Sequence, residues 1–110
     1  MSETYKVIIL PEAQKDIQEI IIYIAKELCA VQAALELHTE FYKAINSLSS
    51  MPKRINLVSS QPWKNIGVRR MQIKNYYIYF LVDDENLTVK VNAVIYMGRK
   101  QSKYLKKMSE

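Results

Sequence analysis

The stretch Gly67-Val-Arg-Arg-Met-Gln-Ile-Lys-Asn-Tyr-Tyr-Ile-Tyr-Phe-Leu-Val82, continued by Asp83-Asp-Glu-Asn86 and Leu87-Thr-Val-Lys-Val-Asn-Ala-Val-Ile-Tyr-Met97, decides the fold. Its pattern has a period of two. From Val68, Arg69, Met71 and Ile73 share one parity, and Arg70, Gln72 and Lys74 the other, which predicts a strand with one wet face. Lys74-Asn75 is expected to form a tight turn. Tyr76–Val82 is aromatic and β-branched, hence a second strand. Asp83–Asn86 is a polar turn. Leu87–Met97 predicts a third strand, with Val89, Val91, Ala93 and Ile95 on one face and Lys90, Asn92, Val94 and Tyr96 on the other. Gly98 ends it.

Upstream the period changes. Residues 52–66 read as a loop carrying two prolines, serines and Trp63. Before it, Ala34, Leu37, Phe41, Ala44, Ile45 and Leu48 recur at helical spacing, and so do Ala13, Ile17, Ile20, Ile21, Ile24 and Leu28. Asp16, Glu19 and Lys15 lie off the first stripe, as a solvated flank. Pro11 can open the first helix, because its missing N–H is one the first turn leaves unpaired anyway. A break near Cys29–Ala30 makes the two helices an antiparallel hairpin; a single bent helix is the alternative. Tyr5–Leu10 predicts a first strand. The tail, with Tyr104, Leu105 and Met108, suggests a short last helix.

The order is β-α-α-β-β-β, an α+β domain with two N-terminal helices packed on a small antiparallel sheet. The 110 residues suit a single domain, 1–110. The wet sheet face is expected to carry Arg70, Gln72, Lys74, Lys90, Asn92 and Tyr96, with Tyr77 and Tyr79 joining it.

Charge is uneven. Sixteen Lys and Arg against eleven Asp and Glu give a net charge of +5. Acids gather in the first forty residues, whereas Met51–Val82 holds six basic residues and no acid, and Arg99–Lys107 is again basic only. Such a surface suits a polyanion or an acidic protein, although a solvated basic face explains it as well.

Several chemistries lack their residues. With two glycines there is no phosphate-cradling loop, and one Cys and one His make a metal centre improbable. Cys29 reads as a small buried side chain near a helix end, and its solitude fits a reducing cytoplasm. His38 reads as a helix-surface residue. Ile20–Ala25, the longest apolar cluster, is too short to span a bilayer. No cofactor is indicated. If RNA is cut, attack by the 2′-hydroxyl needs a base, cations for the charged phosphorus centre and an acid for the leaving oxygen. Arg and Lys suit the cationic role and Tyr the acid; tyrosine rings can also stack on bases.

The run Tyr5-Lys-Val-Ile-Ile-Leu-Pro-Glu-Ala-Gln-Lys-Asp16-Ile-Gln-Glu-Ile20 resembles the opening of RelE/ParE superfamily toxins, a strand leading to an Ala-x-x-Asp-hydrophobic-x-x-Ile helix. Tyr23, Gln32-Ala33-Ala34, Met51-Pro52, Gly67-Val68-Arg69-Arg70, the strand 75–82 and Val94–Arg99 resemble the family's later landmarks in the same order. The resemblance implies the toxin of a two-gene toxin–antitoxin module, held silent by an antitoxin that wraps it with an extended or helical, often acidic segment. RelE-like members cleave mRNA on the ribosome; ParE-like members inhibit DNA gyrase. The RelE pattern maps its strand cations to Arg70 and Lys74, with Gln72 at the place of a second lysine. It maps its arginine past the last strand to Arg99 or Lys100, and its tail tyrosine to Tyr104, which stands closer to the strand than the pattern has it. Tyr77 stands where that branch has an arginine. The catalytic set so implied is Arg70, Lys74, Arg99 and Tyr104, with Arg69, Tyr77, Tyr79, Lys90, Tyr96 and Lys100 as target-binding candidates. The helix hairpin and strand entry resemble ParE more, which favours gyrase inhibition over the RelE-like endoribonuclease. A non-toxic nucleic-acid-binding domain is the third reading.

Overall fold

A computed structural model describes residues 4–59 and 61–99. The chain runs β1 (Lys6–Ile9), α1 (Pro11–Ile22), α2 (Val31–Asn46), a four-residue α3 (Trp63–Ile66), then β2 (Arg69–Ile73), β3 (Tyr76–Asp83) and β4 (Thr88–Tyr96). The order β-α-α-β-β-β is the one the periodicity dictates. The suggested C-terminal helix lies outside the described residues.

The helical hairpin forms as expected, and its corner shows how. After α1 the chain continues through a wider π-helical turn, Tyr23–Glu27, in which the Leu28 N–H reaches the Tyr23 carbonyl. The Ala30 N–H then reaches back to Ile24 O at 3.1 Å, and Cys29 takes the left-handed conformation, φ 51°. This is the helix-stopping geometry that usually selects glycine. A non-glycine residue there costs about 1–2 kcal/mol. Cys29 is exposed, not buried as its type suggests, because the stop turns it outward.

The sheet is mixed, correcting the antiparallel expectation. Its order is β1-β4-β3-β2, with β1 parallel to β4 and the other pairs antiparallel. Hairpins occupy both flanks of β3, so β1 can join only at β4 or β2. It takes β4, with Val7 opposite Val89 and Ile9 opposite Val91.

A second correction concerns β4. Pairing jumps from Tyr79↔Ala93 to Phe80↔Val91, leaving Asn92 as an extra residue. Such a bulge reverses parity for everything beyond it. Val94 therefore joins Val89 and Val91 beneath the helices, and Ala93 and Ile95 turn to the other face. Tyr96 also moves to the helix side, where its ring meets Tyr76 edge-on at 5.7 Å.

The main core lies between the hairpin and the sheet: Ala13 and Ile17 of α1, Leu37, Phe41 and Ile45 of α2, and Ile78, Phe80, Val89, Val91 and Val94 of the sheet. Asp16, read as solvated flank, is half-buried and accepts a hydrogen bond from the Val94 N–H at 3.0 Å. β1 ends at Ile9, so β4 beyond Val91 has no strand on that side. Asp16 supplies the missing acceptor and ties α1 to the sheet.

Candidate functional site

The other face of the sheet is only partly open. Residues 52–59 and 61–68 fold across its β2 side and make a small second core from Val58, Val68, Tyr79 and Ile95, with Trp63, Tyr77, Leu81 and Ala93 packed around it. Three features hold this cover. Leu57 bridges Arg69, and the Val58 N–H donates to Val68 O at 2.8 Å. Gly67, at φ 93°, ends α3 with its N–H on the Trp63 carbonyl, a backbone conformation in which a side chain is strained. The Arg69 guanidinium donates to Ile55 O at 2.6 Å and to Lys53 O at 3.4 Å.

Where the cover stops, a hollow of about 260 Å³ opens, lined by Asn56, Leu57, Val58, Arg70, Gln72 and Tyr77. Arg70 dominates it. Its guanidinium carbon sits 4.1 Å from the centre of the Tyr77 ring, a cation–π arrangement. It also hydrogen-bonds the Tyr79 hydroxyl. Burial pushes the Tyr79 phenol above its ordinary range, while the bond and charge of Arg70 pull the other way. Tyr79 thus holds Arg70 from below as a neutral acceptor.

The candidate residues separate into groups. Arg70, Gln72 and Tyr77 share the hollow. Lys90 is exposed on the same face, opposite Leu81 on β3. Tyr79 is wholly buried in the small core. Arg69 is committed to the loop carbonyls. Tyr96 is on the opposite face, displaced by the bulge. Lys74 sits in the hairpin turn at φ 52°, and Arg99 follows β4 with its N–H on Tyr96 O; neither lines the hollow. Lys100 and Tyr104 lie outside the described residues.

The basic run at 51–82 divides likewise. Arg54 caps the carbonyls of Ser50 (2.6 Å) and Met51 (3.0 Å). Lys53 pairs with Asp84 at 2.9 Å, and Asp84 also accepts from the Tyr5 hydroxyl at 2.7 Å. Both partners hold the Asp84 carboxyl below its ordinary range, Tyr5 more than Lys53. Asn56, Leu57 and Val58 enter the hollow unannounced in the sequence; the loop's serines and prolines carry no signal of where it will lie. Among the described residues no three His, Cys, Asp or Glu side chains gather as a metal site. No helix among them is long and apolar enough to cross a membrane.

A helical hairpin over a small mixed sheet is the fold this chain shares with solved ParDE and RelBE toxin structures. The family described as "ParE toxin of type II toxin-antitoxin system, parDE" matches residues 7–101, and the chain belongs to it. Three solved structures share the fold. The chromosomal ParDE system of P. aeruginosa superposes with a TM-score of 0.69 at 14% identity, covering 84% of this chain and 96% of its own. The RelBE2 toxin–antitoxin complex of Mycobacterium tuberculosis gives 0.56 at 21% identity, covering 86% and 92%. The isolated E. coli RelE toxin gives 0.51 at 16%, covering 94% and 98%. No curated protein matches the chain significantly.

Proposed function

We propose that this toxin is neutralised by a cognate antitoxin and acts by binding and inhibiting DNA gyrase. Family membership supports the toxin role, and two of the similar structures are toxin–antitoxin systems or complexes. The observation that carries the choice of target is the scatter of the nuclease candidates. Cutting RNA requires a base, a cation and an acid to converge within hydrogen-bond reach of one phosphate. Among the described residues Arg70 is the only cation lining the hollow, Lys74 and Arg99 do not join it, and Tyr77 stands where the RelE pattern has an arginine. A surface with one braced arginine beside a phenol suits binding better than acid–base chemistry. Ribosome-dependent mRNA cleavage is the alternative, in which Arg70 would supply the cation and Tyr77 the acid.

Induction in bacteria lacking the antitoxin, with purified gyrase assayed in parallel, tests the reading. Growth arrest, blocked supercoiling and intact ribosome-bound mRNA are expected. Cleaved mRNA with normal supercoiling would overturn it. In that case Arg70→Ala, Lys74→Ala and Arg99→Ala should each abolish cleavage while the fold persists.

A further inference from the structure

Around the corner of the helical hairpin, Ile22, Leu28, Val31 and Leu35 are each more than half exposed, from 53% at Ile22 to 60% at Val31. Single exposed apolar side chains are ordinary, but several at one place mark a contact surface. Their placement follows from the helical period. Ile20 and Ile24 pack on the main core, so Ile22, two residues from each, faces away from the sheet. Leu35 stands two residues before the buried Leu37, and Val31 one turn before Leu35. The Tyr42 hydroxyl donates to Gln14 Oε1 at 2.9 Å, which marks where the two helices meet far from the corner. From that bond the seam between them passes Gln18 and His38 and then reaches Ile22, Leu35 and Val31. It is polar at one end and apolar at the other.

We propose that this outer face of the hairpin binds a second copy of the chain. The two hairpins stack across a two-fold axis, corner over corner, with α1 of each copy over α2 of the other. The four helices then form a bundle with Ile22 and Leu35 among its inner residues. Charge selects a copy over other occupants. Among the described residues the seam holds no Lys or Arg, and its exposed surroundings mix Lys15, Lys26 and Lys43 with Glu19, Glu27, Glu36 and Glu40. A nucleic acid or an anionic bilayer asks for a cationic rim, and a strongly acidic segment would meet four glutamates. A rim of both signs around an uncharged centre suits two identical surfaces. Area sets the strength. The 16 residues of α2 span about 24 Å, and two helices about 10 Å apart present an outer face of roughly 500 Å² in outline. That is close to the lower end of specific interfaces, about 600 Å² per copy, and implies association in the micromolar range. The hairpin and the hollow lie on opposite faces of the sheet, so pairing leaves Arg70 accessible and the inference stands apart from the proposed function.

Sedimentation equilibrium of the full chain, from about 1 to about 500 μM, should show a monomer–dimer equilibrium with a micromolar dissociation constant. Dilution of isotope-labelled protein should move the amides of Gln18, Ile22, Val31 and Leu35 and leave those of Arg70 and Gln72 in place. Ile22→Glu and Leu35→Glu, both at exposed helix positions, should each raise the dissociation constant about a hundredfold or more, because the two-fold counts every substitution twice. Leu35→Gln should raise it about tenfold, which gives a reading even if the charged variants disturb the fold. Met51→Glu changes an apolar residue that is just as exposed (61%) but lies outside the hairpin, and should leave the constant unchanged. A monomer at the highest concentration, a dimer that the hairpin substitutions leave intact, or dilution shifts confined to β2 and the hollow would each overturn the proposal. Movement of the seam amides by phosphatidylserine vesicles, with the chain monomeric without them, would do so too.

Discussion

The two faces of the sheet are built by different means. Among the described residues the core between the helical hairpin and the sheet has twelve buried residues, drawn from α1, α2, β3 and β4 with Tyr5 just before β1 and Leu48 just after α2; the other face has four, Val58, Val68, Tyr79 and Ile95. On the first face burial of apolar surface is the dominant stabilising term. On the second, a short irregular segment is pinned by a bridge, a left-handed glycine and an arginine on two carbonyls. The contrast teaches that the helix side makes the fold, while the small core holds the loop where it shapes a hollow around Arg70. Order on the second face can then vary locally without unfolding the first.

Phe41 is the strongest place to break this contrast, because it is fully buried and meets Tyr76 edge-on at 5.5 Å. Phe41→Ala should cost about 3–5 kcal/mol, read as a fall in the urea midpoint with every probe moving together. Val68→Ala, in the small core, should cost about 2 kcal/mol. Its sharper signature is local: faster hydrogen exchange at the Val58 N–H with the helix amides unchanged. If both variants lower protection everywhere equally, the two cores are one cooperative unit and the comparison fails.

Asp16 tests the joint between helix and sheet. Asp16→Ala should cost about 1–3 kcal/mol, because it leaves the Val94 N–H without its acceptor. Exchange at the Val94 amide should rise most.

The smallest effect is electrostatic. Tyr5 and Lys53 hold the Asp84 carboxyl below its ordinary value of 3.8. A carboxyl more acidic in the folded state stabilises fully above the unfolded value, and that contribution is lost as pH falls through the folded one. Carbon-detected titration should find Asp84 below 3.8, and Tyr5→Phe should move it upward, since Tyr5 is the larger cause. An unmoved midpoint would remove Tyr5 from that account.

Much of the fold was legible. Alternation located β2 and β4, β-branched and aromatic composition located β1 and β3, the 3.6 period located both long helices, and the turn at Lys74-Asn75 was placed by its residues. The direction of β1 was not, because alternation says which face a side chain takes and nothing about which neighbour the strand meets. The bulge at Asn92 was equally silent: one extra residue leaves the local pattern plausible in either parity, yet it moved Val94 and Tyr96 across the sheet. The helix stop at Cys29 was placed by the pattern although no glycine marked it.

The site was legible in part. Arg70 and Gln72 fell on one face by alternation alone, and the pairing of Gln72 with Tyr77 across the turn brought Tyr77 beside them. The charge run was less informative, since Lys53, Arg54 and Arg69 turned out to serve Asp84 and backbone carbonyls.

By itself the sequence determined the order of elements, the greasy stripes that must meet, and the basic character of residues 51–82, because each follows from local period and composition. Only the tertiary structure decided which cations face outward, where β1 pairs, and that Arg70 stands over the Tyr77 ring in the hollow. Those facts depend on which carbonyls, rings and strands arrive from distant parts of the chain, and no local pattern records the meeting.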